Sequence, residues 1–168
     1  NMMSHYKYDI VMCIILLLSV YYLESKIYLH WFHYLLFSLF LLMHCLGMYN
    51  FYEKYPLDIE YDYWVHGYFG VVSSLIIFRY LSKSDYNFTK AYCIVSTFIV
   101  VLGISAAHEL YEFMGAILLG DGDGVLFIGA GDIDQWDTQK DMLNNMIGAL
   151  IGVTLSKLQI VNKNDSLS

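Results

Sequence analysis

Ala107-His108-Glu109-Leu110-Tyr111-Glu112 sets one histidine and two carboxylates inside a stretch, Ile94 to Leu119, that is otherwise uncharged. An apolar run of about 20 residues is long enough to cross a bilayer as a helix. Ionisable side chains inside such a run are expensive to bury, and each requires a partner, a metal or a proton. The stretch therefore predicts a membrane helix that carries a polar site.

The rest of the composition agrees. The 168 residues are 58% hydrophobic and 15% charged, against about 45–50% and about 25% in soluble domains. Mean hydropathy is +0.49. The net charge of −7 comes from acids clustered in two loops, and no basic stripe marks a nucleic-acid surface, so nucleic-acid binding is excluded. Cys13, Cys45 and Cys93 all lie in apolar runs and read as free, buried thiols. The first apolar run lacks a small-residue cleavage site and leads into Glu24 and Lys26, so it reads as a retained helix.

Working outward, five segments have the length and composition of spans or come near it: about 8–23, 28–48, 63–81, 91–118 and 142–158. The expected fold is all-α, a polytopic transmembrane bundle of about five spans forming one domain over residues 1–168. Gly103 and Gly115 in the fourth segment, and Gly148, Ala149 and Gly152 in the fifth, offer small faces for close helix approach. The loops set the orientation. Arg79, Lys83 and Lys90 mark one connection, and Lys157 and Lys163 the tail, as cytoplasmic. The acidic loops 50–62 and 120–141 then face outward. The second of these is rich in Gly and Asp, and its apolar island Val125–Ile128 reads as returning to the membrane surface. Its Asp121-Gly122-Asp123 is a poor calcium loop, with Val125 where a ligand is needed.

With that orientation, ionisable residues from four segments fall at one depth near the outer face: His44; Asp62 and His66; His108, Glu109 and Glu112; Asp137 and Asp141. His108 and Glu112 are spaced i, i+4, as are Asp62 and His66, and Asp137 and Asp141, so each pair shares a helix face. Glu109 lies about 100° round from His108. Imidazoles and carboxylates on facing helices are how bundles build metal sites. The order His-Glu-x-x-Glu matches neither the Glu-x-x-His nor the His-Glu-x-x-His metal motif, so shared depth carries the reading. Simpler accounts stand beside it. His44 also suits a hydrogen-bonded core histidine. Thr138 and Asp141 also suit an N-cap and its capping-box partner.

Several blocks carry a likeness to known sequences. They are His44-Cys45-Leu46-Gly47-Met48-Tyr49, Tyr61-Asp62 and His66-Gly67-Tyr68-Phe69-Gly70. They continue with His108 to Phe113, Gly131-Asp132, Trp136-Asp137-Thr138-Gln139-Lys140-Asp141-Met142 and Gly148-Ala149. From about Met43 to Val153 the chain resembles the YjdF-like family of bacterial inner-membrane proteins. The most specific block is Trp136 to Met142, which keeps the order Trp-Asp-x-Gln-x-Asp-Met. The chain differs in the spacing between Gly131-Asp132 and Trp136, and in a shorter N-terminal stretch. The resemblance implies a multi-pass protein of the bacterial inner membrane. It supplies no substrate.

The functional expectation is a metal-dependent membrane enzyme, a hydrolase by reaction type, whose site opens at the outer, periplasmic face to a lipid or lipid-linked substrate. His44, His66, His108, Glu112, Asp137 and Asp141 are the candidate ligands, and Glu109 the candidate general base. That donor set suits a divalent Zn, Fe or Mn ion, which would activate water. The alternative is a non-enzymatic metal-binding protein or an accessory subunit of a membrane complex. A polar network that only locks helix packing is the third reading.

Overall fold

The computed structural model describes residues 3–27, 29–52, 54–119 and 136–165. Among these there are five α-helices and no strand: α1 (Met3–Ile27), α2 (Trp31–Leu46), α3 (Tyr61–Lys83), α4 (Lys90–Leu119) and α5 (Asp137–Asp165). A π-helical turn, Gly47–Phe51, extends α2, and a short 3-10 turn, Pro56–Asp58, precedes α3. The loop with Asp121, Asp123 and the Val125–Ile128 island lies outside the described residues.

α3 and α5 form the closest pair and run in the same direction, His66 beside Asn145 and Ser74 beside Gly152. Their backbones touch. A Cβ at Gly70 would run into the Asn145 carbonyl, and one at Gly148 into the Gly67 carbonyl. Only hydrogen at those positions permits the approach, as in small-residue crossings of membrane helices. The small face expected on the fifth segment is thus the one used. Gly103 is different: no atom lies within 4 Å of its would-be Cβ, so it faces open space and mediates no contact. The side-chain surroundings of Gly115 lie outside the described residues.

α4 runs opposite to α3 and α5 and packs on both, burying Cys93, Thr97, Val101 and Ser105. α2 lies along α3 through Phe40 and Phe69, whose ring centroids are 5.3 Å apart, and through the Tyr61 hydroxyl, which donates to the Met43 carbonyl at 3.0 Å. α1 makes fewer contacts, chiefly with α2, where Cys13 Sγ comes within 3.9 Å of Cys45 Sγ. All three cysteines are free thiols, as expected, but two of them are neighbours.

The interior mixes apolar side chains such as Val65, Val72, Phe78 and Val101 with polar ones, and the exterior is rich in large apolar side chains. Ser74, Thr97, Ser105, Glu109, Asp141, Asn145 and Ser156 are buried, while Ile99, Leu110, Ile147, Leu150 and Leu155 are exposed. On α5 alone, Asn145 is 1% exposed and Leu150 51%. Contiguous exposed apolar surface of this kind is what a lipid-facing or partner-facing exterior carries. By length and apolar composition one stretch, Lys90–Tyr111, clears what a membrane crossing needs, and Cys13–Glu24 and Trp31–Leu46 are shorter apolar helices. Among the described residues, the expected spans in α3 and α5 do not reach that measure, so the five-span expectation is met in helix number and not in apolar length.

A candidate metal centre where four helices meet

The site sits where α3 and α5 begin and α2 ends, with α4 passing alongside. In α3, Asp62 and His66 are one turn apart, so both side chains reach the same side of the helix. Asp62 Oδ2 is 3.6 Å from His66 Nε2. From α5, Asp141 Oδ2 approaches the same nitrogen at 3.8 Å. One donor atom from each of Asp62, His66 and Asp141 lies within 4.8 Å of the others. The two carboxylates face each other within this group, one oxygen of each within 4.8 Å of the other. Two bare anions do not hold that arrangement without a proton or cation between them.

These distances admit an ion pair or a cation held between the three groups. At 3.6 and 3.8 Å, nitrogen and oxygen are too far apart to hydrogen-bond well. A tetrahedral ion bound at about 2.1 Å to each ligand sets neighbouring ligand atoms about 3.4 Å apart. Asp141 is 3% exposed and its Oδ1 is buried with no hydrogen-bond partner. A buried carboxylate oxygen in that state is costly.

A second ring of side chains surrounds this trio. The His66 and His108 rings lie 6.2 Å apart between centroids, tilted by 46°. His44 Nδ1 lies 3.0 Å from the Tyr52 hydroxyl. Its Nε2 is buried with no hydrogen-bond partner. Glu109 is buried, and it and Asp137 act electrostatically on Asp141. Glu112 lies in α4, and its side chain is outside the described residues.

Of the sequence candidates, the structure therefore brings His66 and Asp141 into direct apposition and sets His44, His108, Glu109 and Asp137 around them. Asp62, which the sequence reading grouped by depth but did not choose as a ligand, completes the tight trio. The capping account of Asp141 fails here. α5 begins at Asp137, and the Lys140 N–H donates to the Trp136 carbonyl at 3.0 Å, so Thr138 is already inside the helix.

Two further residues escaped the sequence reading. Asn145 Nδ2 lies 2.6 Å from Ser105 Oγ and 3.0 Å from His66 Nδ1, tying α5 to both α4 and α3. The available signal was Asn145 itself, an amide one turn after Asp141 on the same face of an apolar segment.

Comparison with known proteins supports the membrane reading. A family model described as "Predicted membrane protein (DUF2238)" matches residues 3–162. The inner membrane protein YjdF of Escherichia coli is 32% identical over 118 residues, covering 64% of this chain and 55% of that protein. The chain thus spans about half the length of that curated relative. No solved structure matches. With nearly the whole chain matched, the protein belongs to the DUF2238 family of predicted membrane proteins.

Proposed function

We propose that the protein is a polytopic membrane protein that binds a divalent metal ion through Asp62, His66 and Asp141, near the outer face of the bacterial inner membrane. One observation carries the reading: an Asp–His–Asp trio from two helices, Asp141 buried and Asp62 and His66 half-buried, with donor atoms within 4.8 Å of one another. Two carboxylates with one imidazole favour Zn, Fe or Mn over softer-metal chemistry. His108 is the adjacent imidazole for a fourth ligand or for orienting the trio. The charge pattern of the loops, with Arg79, Lys83 and Lys90 on the opposite side, supports the outward orientation.

A metal with an open position lowers the pKa of bound water and makes it a nucleophile. With such an ion bound, Glu109, which is buried, would be the residue to take up the proton, and a lipid or lipid-linked substrate would arrive from the apolar exterior. On this reading the protein would be a metal-dependent membrane hydrolase. A non-enzymatic metal-binding subunit is the second reading, favoured by how much of the apolar surface of α1 and α2 stays uncovered. The test is elemental analysis of the detergent-purified protein and of His66→Ala. Stoichiometric metal in the first and none in the second is expected. A metal-free wild-type protein that also takes up no added Zn²⁺ or Mn²⁺ refutes the reading.

A further inference from the structure

A histidine that binds a metal through Nε2 must carry its proton on Nδ1, and the group facing Nδ1 decides whether it can. In this protein that group is the Asn145 side-chain amide. Its nitrogen is 3.0 Å from His66 Nδ1 and 2.6 Å from Ser105 Oγ, and its oxygen is buried with no hydrogen-bond partner. An amide nitrogen only donates, so in this arrangement Nδ1 accepts and the ring proton sits on Nε2, facing Asp62 and Asp141. The trio then presents an N–H to its two carboxylates.

A neutral amide can offer either a donor or an acceptor at the same place, by turning over about its terminal bond. Turned over, Asn145 would present its oxygen to both neighbours. The Ser105 hydroxyl can donate as readily as accept, and Nδ1 would take the proton, leaving the Nε2 lone pair facing the carboxylates. The amide nitrogen would move to the place of the orphan oxygen. That place is one helical turn from Asp141, whose own Oδ1 also lacks a hydrogen-bond partner.

We infer that Asn145, steadied by Ser105, is the positioning residue that selects the His66 tautomer, one orientation of its amide holding a proton at the trio and the other readying Nε2 for a metal. The choice of tautomer follows from the contacts themselves; its consequence for a metal rests on the cation-site reading above.

The two parts are tested separately. The first measurement is nitrogen NMR of ¹⁵N-histidine-labelled protein in detergent with chelator present, His66 being assigned by its loss in His66→Gln. The wild type is expected to show the Nε2–H tautomer, and Asn145→Asp, which can only accept, the Nδ1–H tautomer. A wild-type ring protonated on Nδ1 or on both nitrogens, or an Asn145→Asp ring unchanged from wild type, overturns the inference whatever the metal result. The second measurement is Co²⁺ titration followed by its visible spectrum. Asn145→Leu is expected to bind about 10–100-fold more weakly, and Asn145→Asp at least as tightly as wild type with its spectrum retained. Equal binding by Asn145→Leu and wild type, or equal weakening in both variants, overturns the metal-side role and reduces Asn145 to packing. If wild type binds no Co²⁺ while the tautomers behave as expected, the cation-site reading falls and the tautomer assignment stands.

Discussion

Replacing Asp141 by Asn pulls stability and metal binding in opposite directions, and the size of each effect can be worked from the site. The Asp62 and Asp141 donor atoms lie within 4.8 Å. At an effective dielectric of about 20, two full charges at that distance repel by about 3.5 kcal/mol. Because 4.8 Å is the outer limit of their separation, full charges would repel by at least this much, and a shared proton recovers part of it. An Asn at 141 keeps the shape, removes one charge and can donate to Asp62. In chelator, Asp141→Asn is therefore expected to unfold about 1–3 kcal/mol harder than wild type. With metal at a hundred times its dissociation constant, wild type gains about 2.7 kcal/mol, and the variant, having lost a ligand, gains far less. Thermal unfolding in detergent, with and without Zn²⁺ or Mn²⁺, reads both quantities. The stability order in chelator, variant above wild type, is expected to narrow or reverse when metal is added. A variant less stable than wild type in chelator, yet stabilised by metal to the same degree, refutes the argument and makes Asp141 an ordinary structural partner.

Other expectations follow from the packing. Gly148→Ala puts a methyl group against the Gly67 carbonyl, which no side-chain rotation can relieve, and is expected to lower stability by at least about 1–3 kcal/mol. Gly103→Ala, into open space within α4, is expected to raise it by about 0.5–1 kcal/mol, so denaturation of the two variants side by side tests the backbone contact. Mild oxidation is expected to join Cys13 to Cys45 and leave Cys93 reduced, two thiols disappearing from a maleimide mass-shift assay under denaturing conditions. Loss of none, or equal loss in Cys45→Ser, counts against that neighbourhood. Reporter fusions in the 84–89 connection are expected to read as cytoplasmic and fusions near Pro56 as external; the reverse pattern overturns the orientation.

Much of this was legible in the sequence because burying charge is costly enough to leave a mark. His108 and Glu109 in an uncharged run, and the i, i+4 pairs Asp62–His66 and Asp137–Asp141, announce an interior polar site wherever they occur, and five helices followed from the apolar runs between them. What escaped was what carries no such mark. Asn145 and Ser105 are uncharged and pass as ordinary residues of apolar segments until the fold brings them to His66. That Asp62 and Asp141 are the carboxylates flanking His66 depends on helix rotation, which a shared depth leaves undetermined. Glycine had the same ambiguity. Gly148 and Gly103 look alike in sequence, yet one lies in a backbone contact and the other faces outward.

The crossing of α3 and α5 also acts as a calliper. His66 sits immediately before Gly67 in α3, and Asn145 three residues before Gly148 in α5, so the trio is built at the point where the two backbones touch. The gap between Asp141 and the α3 pair is therefore fixed by main-chain contact and not by adaptable side chains. An ion held there, as proposed, would meet a bite set by the backbone: 3.6 and 3.8 Å between His66 Nε2 and the two carboxylates correspond to tetrahedral bonds of about 2.2–2.3 Å. A single methyl group at the crossing would widen that bite, so the glycines would tune which ion fits although neither can touch it.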